Sequence, residues 1–354
     1  MNQKNTMFGR IAIPRRRLLA DTARTVAAVA LGLIPATDAS AREERRGAPP
    51  AGPPPSARTY GPLKQIDAGL LSIGYAEVGP GAGPVVVLLH GWPYDIYSYV
   101  DVAPKLASAG YRVIVPYLRG YGTTRFLSSD TFRNAQQVAV ALDVIALIDA
   151  LRIRHAIIAG FDWGSRTASI LAALWPQRCK AVVAVSGYLI TNVEANRRPL
   201  PPEVEYGWWY QFYFATERGR AGYAANPHAF NKLIWKQASP QWGFDDATFD
   251  RTARAFDNPD HVAIVIHNYR WRLGLEAGEP RYDELEHKLA QRPDVTVPAI
   301  TIASDFDGAA ASGAAYASKY TGPHVHRILS GVGHNVPQED PDAFAKAVIE
   351  VDRM

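Results

Sequence analysis

The chain has one cysteine, Cys179, in 354 residues. A lone thiol cannot close an internal disulfide, so cysteine usage leaves the redox compartment open. The charge is also thin once its location is considered. Lys4, Arg10, Arg15, Arg16, Arg17 and Arg24 stand against Asp21 and Asp38 in the first 41 residues, and that local excess equals the net charge of +4 of the whole chain. The sequence pI near 9.0 therefore does not mark a nucleic-acid-binding surface. No spacing of His, Cys, Asp and Glu has the pattern of a metal site. "GPGAGP" at 79–84 lacks the strand–helix context and the lysine of a phosphate loop, so no cofactor is expected. No internal repeat is evident. What the chain has in quantity is apolar surface: 47% of residues are hydrophobic, enough for one large domain or two small ones.

The N-terminus reads as an address. "RRRLL" at 15–19 resembles the twin-arginine consensus of bacterial export signals. The apolar stretch "VAAVALGLIPA" at 26–36 follows and is too short to cross a bilayer. "ASA" at 39–41 offers a small-x-small cleavage site after Ala41. The other reading is a misplaced start or a disordered basic tail, but three parts in the right order favour export. The expectation is a signal peptide over 1–41, handled by the export machinery. The mature protein is then periplasmic or secreted, with no membrane partner.

Residues 42–60, with "GAPPAGPPPSA", read as a Pro-rich linker. "LKQIDAGLLSIGYAEVG" (63–79) predicts a hairpin with Asp67-Ala68-Gly69 in its turn. "PVVVLLHG" (84–91) predicts a strand buried on both faces, "YRVIVPYLRGYG" (111–122) holds another strand and then a glycine-rich loop, and "HAIIAG" (155–160), "AVVAVSG" (181–187) and "VPAITIAS" (297–304) predict further short strands. Val138, Leu142, Ile145 and Ile148 recur at helical spacing over 136–151. Strands alternating with helices imply an α/β fold with a mainly parallel sheet flanked by helices. Residues 190–292 break this rhythm. They are rich in aromatics, Arg and His without a clear strand run, and predict a helical cap inserted before the last strands. The core is then 61–189 and 293–354.

The chemistry concentrates at "GFDWG" (160–164). Gly160 and Gly164 supply the small neighbours of a sharp strand-to-helix turn, which would expose Asp162 and aim the Trp163 N–H at developing negative charge. Alone, this string also fits an ordinary turn with an aspartate helix cap. Other stretches change the balance. "HGWP" (90–93) follows a strand as the oxyanion-hole loop of α/β-hydrolases does, a resemblance that implies the Trp92 N–H as a second oxyanion donor, with His90 shaping the loop by hydrogen bonding and not acting as a base. "RGYG" (119–122) is a glycine-rich loop after its own strand. "SDFDG" (304–308) follows a late strand, and "GVGHNVPQEDP" (331–341) sets His334 in a glycine-flanked loop.

These motifs and their order resemble the α/β-hydrolase fold, with aspartate where serine is usual. The resemblance implies Asp162 as nucleophile, His334 as base and an acid after the late strand. The G-x-x-D pattern falls on Ser304-Asp305-Phe306-Asp307, with serine replacing glycine. It favours Asp307, leaving Asp305 as a turn former. An aspartate has a chemical reason to be there. Serine attacking an sp³ carbon would leave an ether, whereas a carboxylate leaves an ester that activated water can cleave. That suggests displacement at carbon, as in epoxide opening or dehalogenation. "WYQFYFATERG" (209–219) and "IHNYRWRL" (266–273) resemble the two tyrosine sites of epoxide hydrolases, and imply Tyr210 and Tyr269 as proton donors. Tyr213, one turn from Tyr210, shares its helix face; Trp208 and Trp209 fit cap packing, or a halide-binding indole. The expected function is a cofactor-free epoxide hydrolase taking a small apolar epoxide and water. The alternatives are a haloalkane dehalogenase and a non-catalytic binding protein on the same scaffold.

Overall fold

A computed structural model describes residues 58–354. The expected signal segment, and nearly all of the expected linker, lie outside the described residues. The chain enters through an antiparallel hairpin, β1 (Lys64–Ala68) and β2 (Leu71–Val78), turning at Gly69. β3 (Val85–Leu89) is followed by α1 (Val102–Ser108), β4 (Arg112–Pro116) and the short β5 (Arg125–Phe126). Then come α2 (Gln137–Ala150), β6 (Ala156–Gly160), α3 (Trp163–Leu174) and β7 (Cys179–Val185). A helical stretch follows: α4 (Pro202–Gly207), α5 (Trp209–Phe214), α6 (Glu217–Ala225), α7 (Pro227–Ala238), α8 (Asp246–Ala253), α9 (His261–Arg272) and α10 (Asp283–Ala290). The chain closes with β8 (Ala299–Ser304), β9 (His324–Leu329), α11 (Val336–Glu339) and α12 (Pro341–Val351).

The strands form one sheet in the order β1-β2-β4-β3-β6-β7-β8-β9, with β5 on β2. From β4 to β9 every neighbour pair is parallel, and β2 meets β4 antiparallel. β3 lies inside this sheet, and Val86, Val87, Leu88 and Leu89 are all fully buried. Each such side chain contributes roughly 1.5–3 kcal/mol by leaving water. α2 packs through Val138, Val144, Leu147 and Ile148, while Leu142 and Ile145 are only half-buried at the margin of the core. No strand interrupts the described chain between β7 and β8. Among the described residues no helix is long and apolar enough to cross a membrane.

Two features place a site. β6 sits beside β3 although α1, β4 and α2 separate them in sequence, so the chain reverses its direction of travel across the sheet there. The C-terminal ends of β3 and β6 meet at this crevice, the position where open α/β sheets collect reacting groups.

Candidate active site

The turn from β6 into α3 places Asp162 at φ 52° and ψ −122°, a left-handed backbone for a residue with a side chain. Such a conformation costs on the order of 1–3 kcal/mol and persists only where the surroundings over-determine it. Here they do. A Cβ on Gly164 would stand 1.8 Å from the Leu89 carbonyl oxygen, and one on Gly91 would stand 2.3 Å from Asp162 Oδ1. The chain therefore draws the elbow tight against the end of β3, and only glycine admits that approach.

The Trp92 N–H donates to Asp162 Oδ1 at 2.8 Å, and the Trp163 N–H also donates to this carboxylate. His334 Nε2 stands 3.5 Å from the other oxygen, Oδ2. Burial opposes ionisation of Asp162. The hydrogen bond and charge of His334, the Arg166 guanidinium and the Trp163 N–H outweigh it, and hold the carboxyl below its ordinary range. The loop carrying Trp92 turns through a cis Trp92–Pro93 peptide. His90 braces it: Nε2 accepts from the Leu118 N–H at 3.1 Å, so Nδ1 carries the proton and donates to the Gly91 carbonyl at 3.1 Å. Burial lowers the pKa of His90 to about 4, which keeps it a neutral strut. Arg119 of the "RGYG" loop is likewise internal, gripped in a bidentate pair by Asp143 at 2.6 and 2.7 Å.

His334 is buried on the loop before α11, with its ring 4.1 Å from that of Phe306. Its Nδ1 is buried and has no hydrogen-bond partner among the described residues. Asp307, expected to hold that nitrogen, does not. Its Oδ2 accepts from the Ser304 N–H at 2.8 Å. A carboxylate three residues after an extended residue at a helical start reaches back to that residue's N–H, and this local bond captures Asp307. Asp305 accepts from the Gly331 N–H at 2.8 Å, tying two turns together.

A different acid organises the histidine loop. Glu339 Oε2 accepts from the Gly333 N–H at 2.7 Å. Its Oε1 accepts from the Asn335 N–H at 3.0 Å and the Ser239 hydroxyl at 2.6 Å. Ser239 Oγ in turn accepts from the His334 N–H at 2.9 Å. Sequence reasoning passed over Glu339, although the signal was present: an acid five residues beyond the histidine in one short loop.

The helical stretch supplies the aromatic side of the site. Tyr210 on α5 and Tyr269 on α9 meet edge to face at 5.4 Å, and both pack on Trp92, at 5.0 and 5.1 Å. Tyr213 points elsewhere, stacked on Phe230 at 5.9 Å, so the structure separates the two tyrosines that share a helix face in sequence. Burial and the Asp162 charge raise the pKa of Tyr210 to about 12; burial and the neighbouring Tyr210 push that of Tyr269 well up. Both phenols therefore stay protonated at neutral pH. Trp209 Nε1 donates to Gln237 and Trp208 is partly exposed, so neither indole N–H is placed at Asp162. The indole N–H of Trp163 is different: it is buried with no acceptor among the described residues.

One charged residue beside Asp162 escaped the sequence reading. Arg166 lies one turn along α3, is 5% exposed, and is the only charged side chain of that helix. A lone arginine in "WGSRTASILAAL" was the available signal.

Comparison with known proteins agrees with the fold. Residues 84–341 match the family described as the alpha/beta hydrolase fold. A crystal structure of a Klebsiella pneumoniae protein provisionally named an epoxide hydrolase is 62% identical, with a TM-score of 0.81, covering 82% of this chain and 97% of that one. Epoxide hydrolase B of Mycobacterium tuberculosis is 36% identical over 150 residues, 39% of this chain and 41% of that protein. The match thus spans about two fifths of that relative's length. A haloalkane dehalogenase of Mycobacterium marinum is 28% identical over 228 residues, 61% of this chain and 72% of that protein.

Proposed function

The chain belongs to the α/β-hydrolase fold family, as an epoxide hydrolase-like member, and on that premise we propose that it opens an epoxide to a vicinal diol through an ester on Asp162. The observation that carries this reading is the division of labour within one carboxylate. Oδ1 is held by the Trp92 N–H, while Oδ2 is left as the attacking atom near the imidazole.

Oδ2 attacks a ring carbon and the C–O bond breaks toward oxygen. That oxygen takes a proton from Tyr210 or Tyr269. His334 then accepts a proton from water, and the hydroxide adds to the ester carbonyl. The oxyanion forms on Oδ1, which already accepts from the Trp92 N–H, with the Trp163 N–H at the same carboxylate. Collapse releases the diol and restores Asp162, and the imidazolium proton returns to the phenolate. The sum is epoxide plus water to diol. The helices between residues 190 and 292 act as the cap that brings the phenols over the nucleophile.

A second reading rests on the unpaired Trp163 indole N–H, a donor suited to a departing halide. A side-by-side assay on epoxides and haloalkanes separates the two. For the mechanism, His334→Gln should allow attack but block ester hydrolysis, so intact mass should gain the substrate and digestion should place it on the peptide holding Asp162. Full turnover by His334→Gln, or an adduct elsewhere, would refute it.

A further inference from the structure

The proposed reaction does not use two cations at the site. Arg166 is one helical turn beyond Asp162, its N–H bonded to the Asp162 carbonyl at 3.1 Å. Its guanidinium donates through Nε to the Leu189 carbonyl at 3.2 Å, and no described residue accepts from its two Nη groups. Arg272 is one turn beyond Tyr269 on α9. Its guanidinium carbon lies 5.6 Å from the Tyr269 ring centre and 5.9 Å from that of Trp208. Its Nε is buried with no acceptor among the described residues. Neither guanidinium pairs with an acidic side chain among the described residues.

The two arginines sense each other and the site. Burial and then Arg272 lower the pKa of Arg166 to about 10, and Asp162, Tyr269 and Tyr210 partly offset them. Set against the single Asp162 carboxylate, the two guanidiniums leave one surplus positive charge at the site. An uncompensated buried charge is costly, and a protein that keeps one usually holds its partner on a ligand.

We propose that Arg166 and Arg272 form an anion subsite beside Asp162, and that the substrate is an epoxide carrying a carboxylate or similar small oxyanion near the reacting carbons. This rests on the epoxide-opening reading above and replaces the small apolar substrate expected from sequence with an anionic one. A monoanionic substrate neutralises the pocket. The planar guanidinium fork suits a carboxylate, and an anchor at that end fixes the ring carbon before Oδ2.

The test uses the full chain and a matched pair: a 2,3-epoxy carboxylate and its uncharged carboxamide. The expected result is a kcat/KM at least about 30-fold higher for the acid, the scale of a desolvated charge pair. Arg272 is half-buried, so Arg272→Gln removes the anchor without emptying the core. It should cut kcat/KM for the acid by about 10-fold or more, mainly in KM, and leave the amide within about threefold. Arg166→Lys keeps the charge beside Asp162 but loses the fork, and should lower kcat/KM for the acid at least about threefold more than for the amide. If other neutral epoxides are opened while the acid has no advantage over the amide, the anion subsite is wrong and the epoxide reading stands. Equal losses on both substrates would also overturn the subsite, because the arginines would then serve only Asp162. If no epoxide of any charge is opened, the reading beneath the inference fails.

Discussion

Replacing Glu339 by glutamine asks which acid keeps His334, the proposed base, in place. The carboxylate takes three donors: the Ser239 hydroxyl and Asn335 N–H on one oxygen, and the Gly333 N–H on the other. Glutamine has one acceptor oxygen. If it faces Asn335 and Ser239, its amide N–H₂ confronts the Gly333 N–H; turned over, it confronts the Asn335 N–H. Either way one backbone donor next to His334 loses its acceptor, at a cost of about 1–3 kcal/mol. The loop must shift, and displacement of a reacting group by about 1 Å can cost 10²-fold in rate. Attack by Asp162 does not need the base, so the loss should fall on ester hydrolysis. Glu339→Gln should therefore accumulate covalent adduct in rapid-quench mass spectrometry, with a normal first-step burst. Asp307→Asn offers the contrast. The asparagine oxygen can still accept from the Ser304 N–H, and no bond to His334 is broken, so hydrolysis should change by less than about threefold. If Asp307→Asn accumulates adduct while Glu339→Gln turns over normally, the acid foreseen from sequence holds the imidazole during turnover and this reasoning is wrong.

Four other outcomes follow from the structure. The Tyr210→Phe/Tyr269→Phe protein should open epoxides on the order of 10²–10⁴-fold more slowly, with single losses that do not add, since both phenols address one oxygen; a wild-type burst rate would make them packing residues only. Because the pKa of Tyr210 stands at about 12, the wild-type alkylation rate should hold into the alkaline range, and an early fall that vanishes in Tyr210→Phe would contradict that assignment. Gly91→Ala would put a methyl 2.3 Å from Asp162 Oδ1, so single-turnover alkylation should drop by about 10²-fold, and an unchanged rate would mean that the elbow does not need this approach. Asp95, buried with Oδ2 unpaired, has its pKa raised by burial to about 7. The native state thus holds a proton that the unfolded chain releases near pH 4. Stability from this group is full below pH ~4 and is lost as pH rises through about 7, by up to roughly 4 kcal/mol. Asp95→Asn should flatten the fall of Tm between about pH 5 and pH 8, and an identical slope would show that Asp95 is not its source.

The sequence by itself determined the parts whose cause is local. Apolar runs too short for helices gave the strands of the central sheet, because a strand buried on both faces must be apolar at every position. The spacing of glycine about Asp162 and ahead of Trp92 announced tight turns, and the order aspartate elbow, late acid, loop histidine indicated the fold. β9 escaped because it lies at the sheet's edge with no fully buried residue, so His324, His326 and Arg327 interrupt its apolar pattern. Tertiary structure decided what depends on distance across the fold. Tyr210 and Tyr213 are equivalent on a helical wheel, and only the packing of α5 against Trp92 and α9 distinguishes them. Asp307 matches a motif, yet its carboxylate is taken by a backbone N–H three residues away. Glu339 and Arg166 leave only faint signals in a linear reading, and Arg272 none. Their meaning comes from which donors, acceptors and charges the fold sets around them, and a sequence does not carry that information until the chain has closed on itself.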